Sequence, residues 1–311
     1  MSLICPLDAE SNPEFVTSVK IKDLVSLYNR RAGLDIRPIF NELSELGFYH
    51  CPSCDLRFFY PLISGPAFFY EELQKKQWYF EKEREEFFWA KNWINNSSSV
   101  LEIGAGEGNF ARMISTSQYH GLEFTRKAIE LANKSGTEIF DQSIENHSIQ
   151  NHEKYDVVCA FQVLEHISSV HSFINSGLKC LKPGGYLLLS VPSADSFLPS
   201  CVNLYENMPP HHVTWWSDRS LISIGRVFGL IVEDIYHEDL ASYHRRWYLS
   251  TAIAASLRGG DEILKPRIDL SLGHFIGQMF LQLFAIPVSW LLNDPHVLSK
   301  GHSVMVAYRK S

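Results

Sequence analysis

The chain has 311 residues, 45% of them hydrophobic and 20% charged, with a formal net charge of −7 at pH 7. That length and balance suit one large α/β core with an accessory region, and exclude a disordered or fibrous protein. The acidity argues against a broad electrostatic grip on phosphate, so no nucleic-acid partner is expected.

No basic stretch followed by an apolar run opens the chain, so the expected location is cytoplasmic. Residues 1–65 form a cysteine-knuckle segment, with Cys5 in "CPLD" and Cys51 and Cys54 in "CPSC". Paired ligands at i and i+3 on two tight turns are the layout of a tetrahedral zinc site, with Asp8 as the fourth ligand. A carboxylate binds zinc less softly than a thiolate, so two readings stand: structural zinc, or a metal-free knuckle of the same fold. Either role is structural, because four protein ligands leave no open position. Cys159, Cys180 and Cys201 lie in or near apolar stretches and read as small buried hydrophobes.

Residues 66–96 carry apolar side chains at helical spacing among charges. They read as one or two amphipathic helices forming a lid or linker next to the segment that follows.

Residues 97–311 alternate strand and helix, which predicts a doubly wound, mostly parallel sheet covered on both faces. "VLEIGAG" is its first strand and "GNFARMIS" opens the helix after it. "YHGLEF" is the second strand, "TRKAIELANKSG" a helix stopped by its glycine, "TEIFDQ" the third strand and "YDVVCAFQVL" the fourth. A helix ending in "KPGG", the strand "YLLLSVPS", the helix "SDRSLISIGRVFGL", the strand "IVEDIYHE" and the final strand "HSVMVAYRK" complete the pattern. A helical insertion spans about 240–298. Within it, "LSLGHFIGQMFLQLFAIPVSWLL", residues 270–292, approaches the length of a membrane span. His274, Gln278, Gln282 and Pro287 interrupt it, and a span would drag the last strand across a bilayer. It reads as a buried or dimer-forming helix; a second copy of the chain is thus a candidate partner, and a membrane is disfavoured.

The glycine turn sets the ligand class. Gly104, Gly106 and Gly108 follow the first strand, but the dinucleotide fingerprint needs its third glycine where Asn109 stands. Glu102 and Glu107 would repel a pyrophosphate docked there and attract an ammonium or sulfonium group. Ligands in such sheets lie beyond the carboxyl ends of the strands. Glu123, closing the second strand, suits a ribose diol, and Asp141 with the amides after it could read an adenine edge. The site is shaped for an adenosine with a cationic tail and no phosphate.

"VLEIGAGEGNF", "GLEFTRKAIELA", "YDVVCAFQVLEHI" and "LKPGGYLLLSVP", in this order, resemble the consecutive motifs of class I, seven-stranded, Rossmann-like S-adenosylmethionine-dependent methyltransferases. The resemblance covers about residues 97–238 plus the last strand. It implies an antiparallel last strand and S-adenosyl-L-methionine as cofactor. It further implies that Gly104, Ala105, Gly106 and Gly108 line the methionine and ribose, that Glu102 orients the amino-acid end, and that Glu123, beside Phe124, binds the ribose hydroxyls. Asp141 and Ile144 would flank adenine, and Phe161 and Gln162 would contact the sulfonium end. The N-terminal knuckles and the closing "GHSVMVAYRK" resemble a bacterial subgroup with a cysteine-knuckle segment before the core, often linked to sugar and surface-polysaccharide pathways. That subgroup has Cys-x-x-Cys at both knuckles, and Asp8 departs from it.

Methyl transfer is an in-line displacement, so the protein must position a nucleophile near the methyl group and exclude water. For an alcohol or acidic carbon it also needs a base. Glu165 and His166, just past the fourth strand, are candidates. So are His211 and His212 in "NMPPHHVTWWS", where two prolines stiffen the loop and aromatic faces suit a sugar or small ring. The expected function is methyl transfer to a small-molecule acceptor, a nucleotide-linked sugar or polysaccharide precursor first. A quinone, lipid-like or other aromatic acceptor is the alternative, and a non-catalytic cofactor-binding protein is another. Asn109 and Glu107 oppose a nicotinamide enzyme. The absence of an Asn-Pro-Pro-Tyr-like motif after the fourth strand opposes a nucleic-acid methyltransferase.

Overall fold

The computed structural model describes residues 3–75, 84–116, 118–259, 264–291 and 300–311. Parts of the expected lid (76–83) and of the expected insertion (260–263, 292–298) lie outside the described residues.

In chain order, β1 (Glu14–Lys20) leads into α1 (Ile21–Ala32), α2 (Arg37–Phe40), β2 (Glu45–His50) and β3 (Arg57–Tyr60). Helix α1 buries Ile21, Leu24, Leu27 and Tyr28, the three-and-four spacing that makes one apolar face. It ends where Gly33 adopts φ 69° and donates its N–H to the Asn29 carbonyl, a left-handed cap that glycine reaches without a Cβ penalty. Two short helices follow, α3 (Ala67–Gln74) and α4 (Glu85–Lys91).

The larger sheet comes next, with β4 (Ser99–Ile103), β5 (Gln118–Leu122), α5 (Arg126–Lys134), β6 (Ile139–Phe140), α6 (Ile144–Ser148), β7 (Tyr155–Phe161), α7 (Val170–Cys180) and β8 (Leu181–Pro192). The chain then runs through β9 (Thr214–Trp215), α8 (Asp218–Phe228), β10 (Leu230–Asp239), α9 (Arg245–Leu257), α10 (Leu272–Leu291) and β11 (Lys300–Lys310). The sheet order is β10-β11-β8-β7-β4-β5-β6. Strands β6, β5, β4, β7 and β8 pair in parallel, whereas β11 is antiparallel to both β8 and β10. This is the expected seven-stranded arrangement with a reversed last strand. Its central strands β4 and β7 are almost wholly buried, consistent with their near-continuous apolar sequences.

Several expectations need correction. No regular helix follows the glycine turn: residues 106–113 form successive turns, such as Gly108 N–H to the Ala105 carbonyl and Met113 N–H to the Phe110 carbonyl. Closely spaced glycines at positive φ break the run of helical dihedrals there. The third strand shrinks to two residues. The "KPGG" sequence lies at the start of β8 instead of closing the helix, with Gly184 at φ 76°.

The N-terminal sheet has four strands, in the order β1-β2-β3-β9. Its last strand comes from the far side of the chain, with Arg57 opposite Trp215 and Phe58 opposite Thr214. Helix α10 is not buried: Leu272, Phe275, Phe280 and Phe284 are 59–72% exposed. Among the described residues, no helix is long and apolar enough to cross a membrane.

Candidate active site

A cleft of about 1690 Å³ opens at the carboxyl ends of β4, β5 and β7. That is larger than a pocket for one drug-sized ligand, with room for a nucleoside and an acceptor together.

Its floor is the glycine turn. Gly104, Gly106 and Gly108 have φ of 77°, 52° and 74°, the left-handed region that side chains rarely adopt. Adding a Cβ to Gly104 would bring it 2.4 Å from Val163 Cγ2, so the turn and the segment after β7 approach too closely for any side chain. Glu123 is fixed by backbone donors: its Oε1 accepts the Phe124 and Thr125 N–H groups at 2.9 and 2.8 Å, and its Oε2 accepts the Gly106 N–H at 3.0 Å. The carboxylate that closes the second strand is thereby tied to the glycine turn.

Glu102 is 3% exposed, and burial pushes its carboxyl up to about 8. Tyr119 donates its hydroxyl to Glu102 Oε2. Glu102 and Gly121 are register partners on β4 and β5, and Tyr119 lies two residues before Gly121 on the same face. Tyr119 was missed from sequence, though the parallel pairing of these two strands was signal enough to find it.

Gln162, directly after β7, has φ 55°, an uncommon conformation for a residue with a side chain. Its amide Nε2 donates weakly to the hydroxyls of Ser190 (3.3 Å) and Ser303 (3.4 Å), which holds the side chain against β8 and β11. Phe161 packs edge-on to Phe87 of α4 and to Phe110, so the helix before β4 does flank the glycine turn.

Glu102, Gly104, Ala105, Gly106, Glu123, Phe124, Ile144, Phe161 and Gln162 all line the cleft. Gly108 and Asp141 do not. Gly108 packs behind the turn, where a Cβ would touch Thr137 at 3.0 Å, and Asp141 projects to solvent because the chain bends directly after β6. Gln142, the next residue, takes the lining position.

The four candidate bases converge on one wall of this cleft. Glu165 is 1% exposed, and among the described residues neither of its carboxylate oxygens has a hydrogen-bond partner. Burial pushes it up to about 8. Its Oε1 lies 3.7 Å from His166 Nε2 and 3.9 Å from His212 Nε2. The rings of His211 and His212 stack at 4.5 Å, and His166 stands 4.6 and 4.9 Å from them. Burial holds His166 near 4 and His211 near 3, and pulls His212 well below the usual imidazole range. Burial thus favours the neutral imidazole in all three.

The knuckle residues also come together. Cys5 Sγ and Cys54 Sγ are 3.5 Å apart, Cys51 Sγ is 3.9 Å from Asp8 Oδ2, and the four ligand atoms fall within 4.8 Å of one another. The three thiols are buried, and S–H groups of Cys5 and then Cys54 directed at Cys51 pull its thiol down, favouring a thiolate. Asp8 is oriented by the Glu10 and Ser11 amides and the Ser11 hydroxyl. This donor set fits a four-coordinate zinc ion.

A glycine turn tied to an acidic strand end, at the switch point of a seven-stranded sheet with a reversed last strand, defines the class I methyltransferase fold. Residues 73–235, just over half of the chain, match the family described as "Methyltransferase domain", and the chain belongs to that family. The "Ubiquinone biosynthesis O-methyltransferase" of Vibrio atlanticus (strain LGP32) is 32% identical over 99 residues, which cover 29% of this chain and 42% of that protein. The protein of the same description from Proteus mirabilis (strain HI4320) is 28% identical over 99 residues, covering 29% and 40%. The chain thus spans about two fifths of the length of the curated relatives it matches. Among solved structures, a SAM-dependent methyltransferase from Archaeoglobus fulgidus superposes with TM-score 0.50 at 14% identity, over 78% of this chain and all of that one. It shares the fold.

Proposed function

We propose that this protein transfers the methyl group of S-adenosylmethionine to a hydroxyl oxygen of a quinone-like or other aromatic small molecule. The observation that carries the reading is that one cleft joins the Glu123-tethered glycine turn to a buried cluster of candidate bases.

The cofactor supplies an electrophilic methyl on a positively charged sulfur. Glu123 would accept hydrogen bonds from the ribose diol, and the Cβ-free floor at Gly104 and Gly106 lets a nucleoside approach the backbone. Glu102 supplies negative charge beneath the amino-acid end. Gln142 and Ile144 would bracket the base, with Gln142 in place of the more exposed Asp141. Bound there, S-adenosylmethionine would give up its methyl group to the acceptor oxygen, with the sulfur–carbon electron pair returning to sulfur. The hydroxyl proton passes to the buried cluster. Glu165 and the ring nitrogens of His166, His211 and His212 line the cleft together and are the groups placed to receive it.

The aromatic acceptor is favoured over the sugar first expected. Both curated relatives above are named for ubiquinone biosynthesis, and the insertion adds Trp247, Phe275 and Met279 to the cleft lining beside polar residues such as Arg246 and Gln278, so an aromatic ring carrying polar groups suits it. The Cys5–Asp8–Cys51–Cys54 cluster would hold a structural zinc ion. We take the three units 1–65, 66–96 and 97–311 as the working domain division.

Calorimetry with S-adenosylmethionine and with NAD, followed by a mass-spectrometric search for one added methyl on catechol-type acceptors and on nucleotide sugars, tests the reading. Binding of the first cofactor alone and methylation of the aromatic hydroxyl are expected. Binding without transfer to any acceptor would leave a cofactor-binding protein, and binding of NAD alone would overturn both.

A further inference from the structure

His166, His211 and His212 each offer a ring nitrogen within 4.8 Å of the other two. The tautomers follow from the partners of Nδ1. His166 Nδ1 lies 2.6 Å from the His211 carbonyl, and His211 Nδ1 lies 2.8 Å from the Glu206 carbonyl. A backbone carbonyl can only accept, so both Nδ1 atoms carry the proton. His212 Nδ1 is 3.1 Å from the Asn207 side-chain oxygen, which likewise accepts. In each neutral ring the lone pair is therefore on Nε2.

Two of these lone pairs, on His166 and His212, face a buried Glu165 oxygen that has no hydrogen donor of its own, at 3.7 and 3.9 Å. A single proton on the carboxyl could bridge to only one of these rings, whereas a cation held between them would serve both rings and the carboxyl oxygen together. A metal ion at about 2.0–2.2 Å from each ligand would set such atoms about 3.4 Å apart, close to the 3.7 and 3.9 Å found at Glu165 and a further approach for ring nitrogens that lie within 4.8 Å of one another.

The surroundings are those of a metal site. Ligating histidines usually donate their second ring nitrogen to a carbonyl or carboxyl group, which fixes tautomer and orientation, and all three rings do so here. The scaffold is held in turn: Tyr28 donates its hydroxyl to the Tyr205 and Met208 carbonyls on either side of Glu206 and Asn207.

We propose that His166, His211, His212 and Glu165 form a binding centre for one divalent transition-metal ion of the zinc, cobalt or iron type. Imidazole and carboxylate donors suit these ions, and the two charges of the ion offset the buried carboxylate. The four residues line the cleft, so an ion held by them would be reachable from it. There an acceptor oxygen would complete the coordination and lose its proton more easily. This last role rests on the methyl-transfer reading, whereas metal binding does not.

The test uses the full chain, stripped of metal and titrated with Co²⁺ without cofactor or acceptor. Two classes of bound cobalt are expected. One shows the charge-transfer absorption of thiolate ligation at the cysteine cluster; the other shows only the weaker bands of nitrogen and oxygen ligands, with Kd below about 10 µM. His212→Ala and Glu165→Gln should each weaken the second class by about tenfold or more and leave the first unchanged. X-ray absorption of the loaded wild-type protein should show imidazole scattering at the second site, and this reading needs no variant to fold. Absence of the second class from the wild type, or its persistence at full affinity in both variants, overturns the proposal. Neither result depends on whether a methyl group is transferred.

Discussion

Glu102 shows how one carboxyl can report on cofactor charge. Its ordinary value is near 4.5, and burial raises it to about 8 in the folded chain. From pH 4.5 to 8 the folded protein therefore holds a proton that the unfolded chain releases. This contribution to stability is fully present below 4.5 and is lost as pH rises through about 8. A cationic ligand favours the ionised form, so its affinity should rise by up to about tenfold per pH unit towards pH 8 and flatten above it. Calorimetry in buffers of different ionisation enthalpy should show a proton released on binding. Glu102→Gln should remove both the release and this part of the pH dependence; a variant with the wild-type profile would rule Glu102 out as the source. Gly104 makes a second residue-scale case. Gly104→Ala meets Val163 Cγ2 at 2.4 Å and forces a side chain onto φ 77°. We expect cofactor affinity to fall by about tenfold or more with thermal stability also reduced, since backbone strain of this kind costs about 1–3 kcal/mol. Unchanged calorimetric affinity would mean that the turn does not touch the ligand.

Among the elements, the parallel sheet was legible because its strands are short apolar runs separated by turn residues and helical patterns, and because the order of the motifs fixes their topology. The helix after the glycine turn was misread: a periodic apolar pattern in "GNFARMIS" competes with the positive φ of Gly106 and Gly108, and the backbone term wins. Strand β9 left no sequence trace. Two residues, Thr214 and Trp215, carry no periodicity, and their partner β3 lies more than 150 residues earlier. Non-local pairing of that kind is what single-sequence patterns cannot report. The convergence of His166 with His211 and His212 was hidden for the same reason, although each residue was legible on its own. Tyr28 on α1 ties these regions together. Removing its hydroxyl deprives the Tyr205 and Met208 carbonyls of a donor at 2.8 and 2.9 Å. Tyr28→Phe should cost about 1–3 kcal/mol in urea denaturation. It should also lower turnover, because the short 3-10 turn Tyr205–Asn207 that Tyr28 anchors supports the rings of His211 and His212 through Glu206 and Asn207. Loss of stability without loss of turnover would separate the two effects.

For the whole molecule, the exposed row on α10 and the cysteine cluster mark the limits of an apolar reading. A run such as 270–292 looks the same whether its partner is the chain's own core, a second copy or nothing, and here Phe275, Phe280 and Phe284 remain exposed. The cysteine cluster, by contrast, is bound into the rest of the chain. Arg219 and Arg226 of α8 donate to the Pro52 and Ser53 carbonyls within the knuckle, and the Ser217 hydroxyl that caps α8 also donates to Asp55. The knuckle thereby grips α8 along its length, and the cap Ser217 lies five residues beyond His212. A zinc ion joining Cys5 to Cys51 and Cys54 would close a chain loop of more than 40 residues and fix that grip. Stripping metal from the purified protein, or introducing Cys51→Ser, should lower the melting midpoint by about 5 °C or more. Turnover should fall with it, even though the cysteines do not line the cleft. Restoring zinc should recover both in the wild type and neither in the variant. If the stripped protein melts and turns over like the loaded one, the thiols are packing residues and the knuckle holds its shape without an ion.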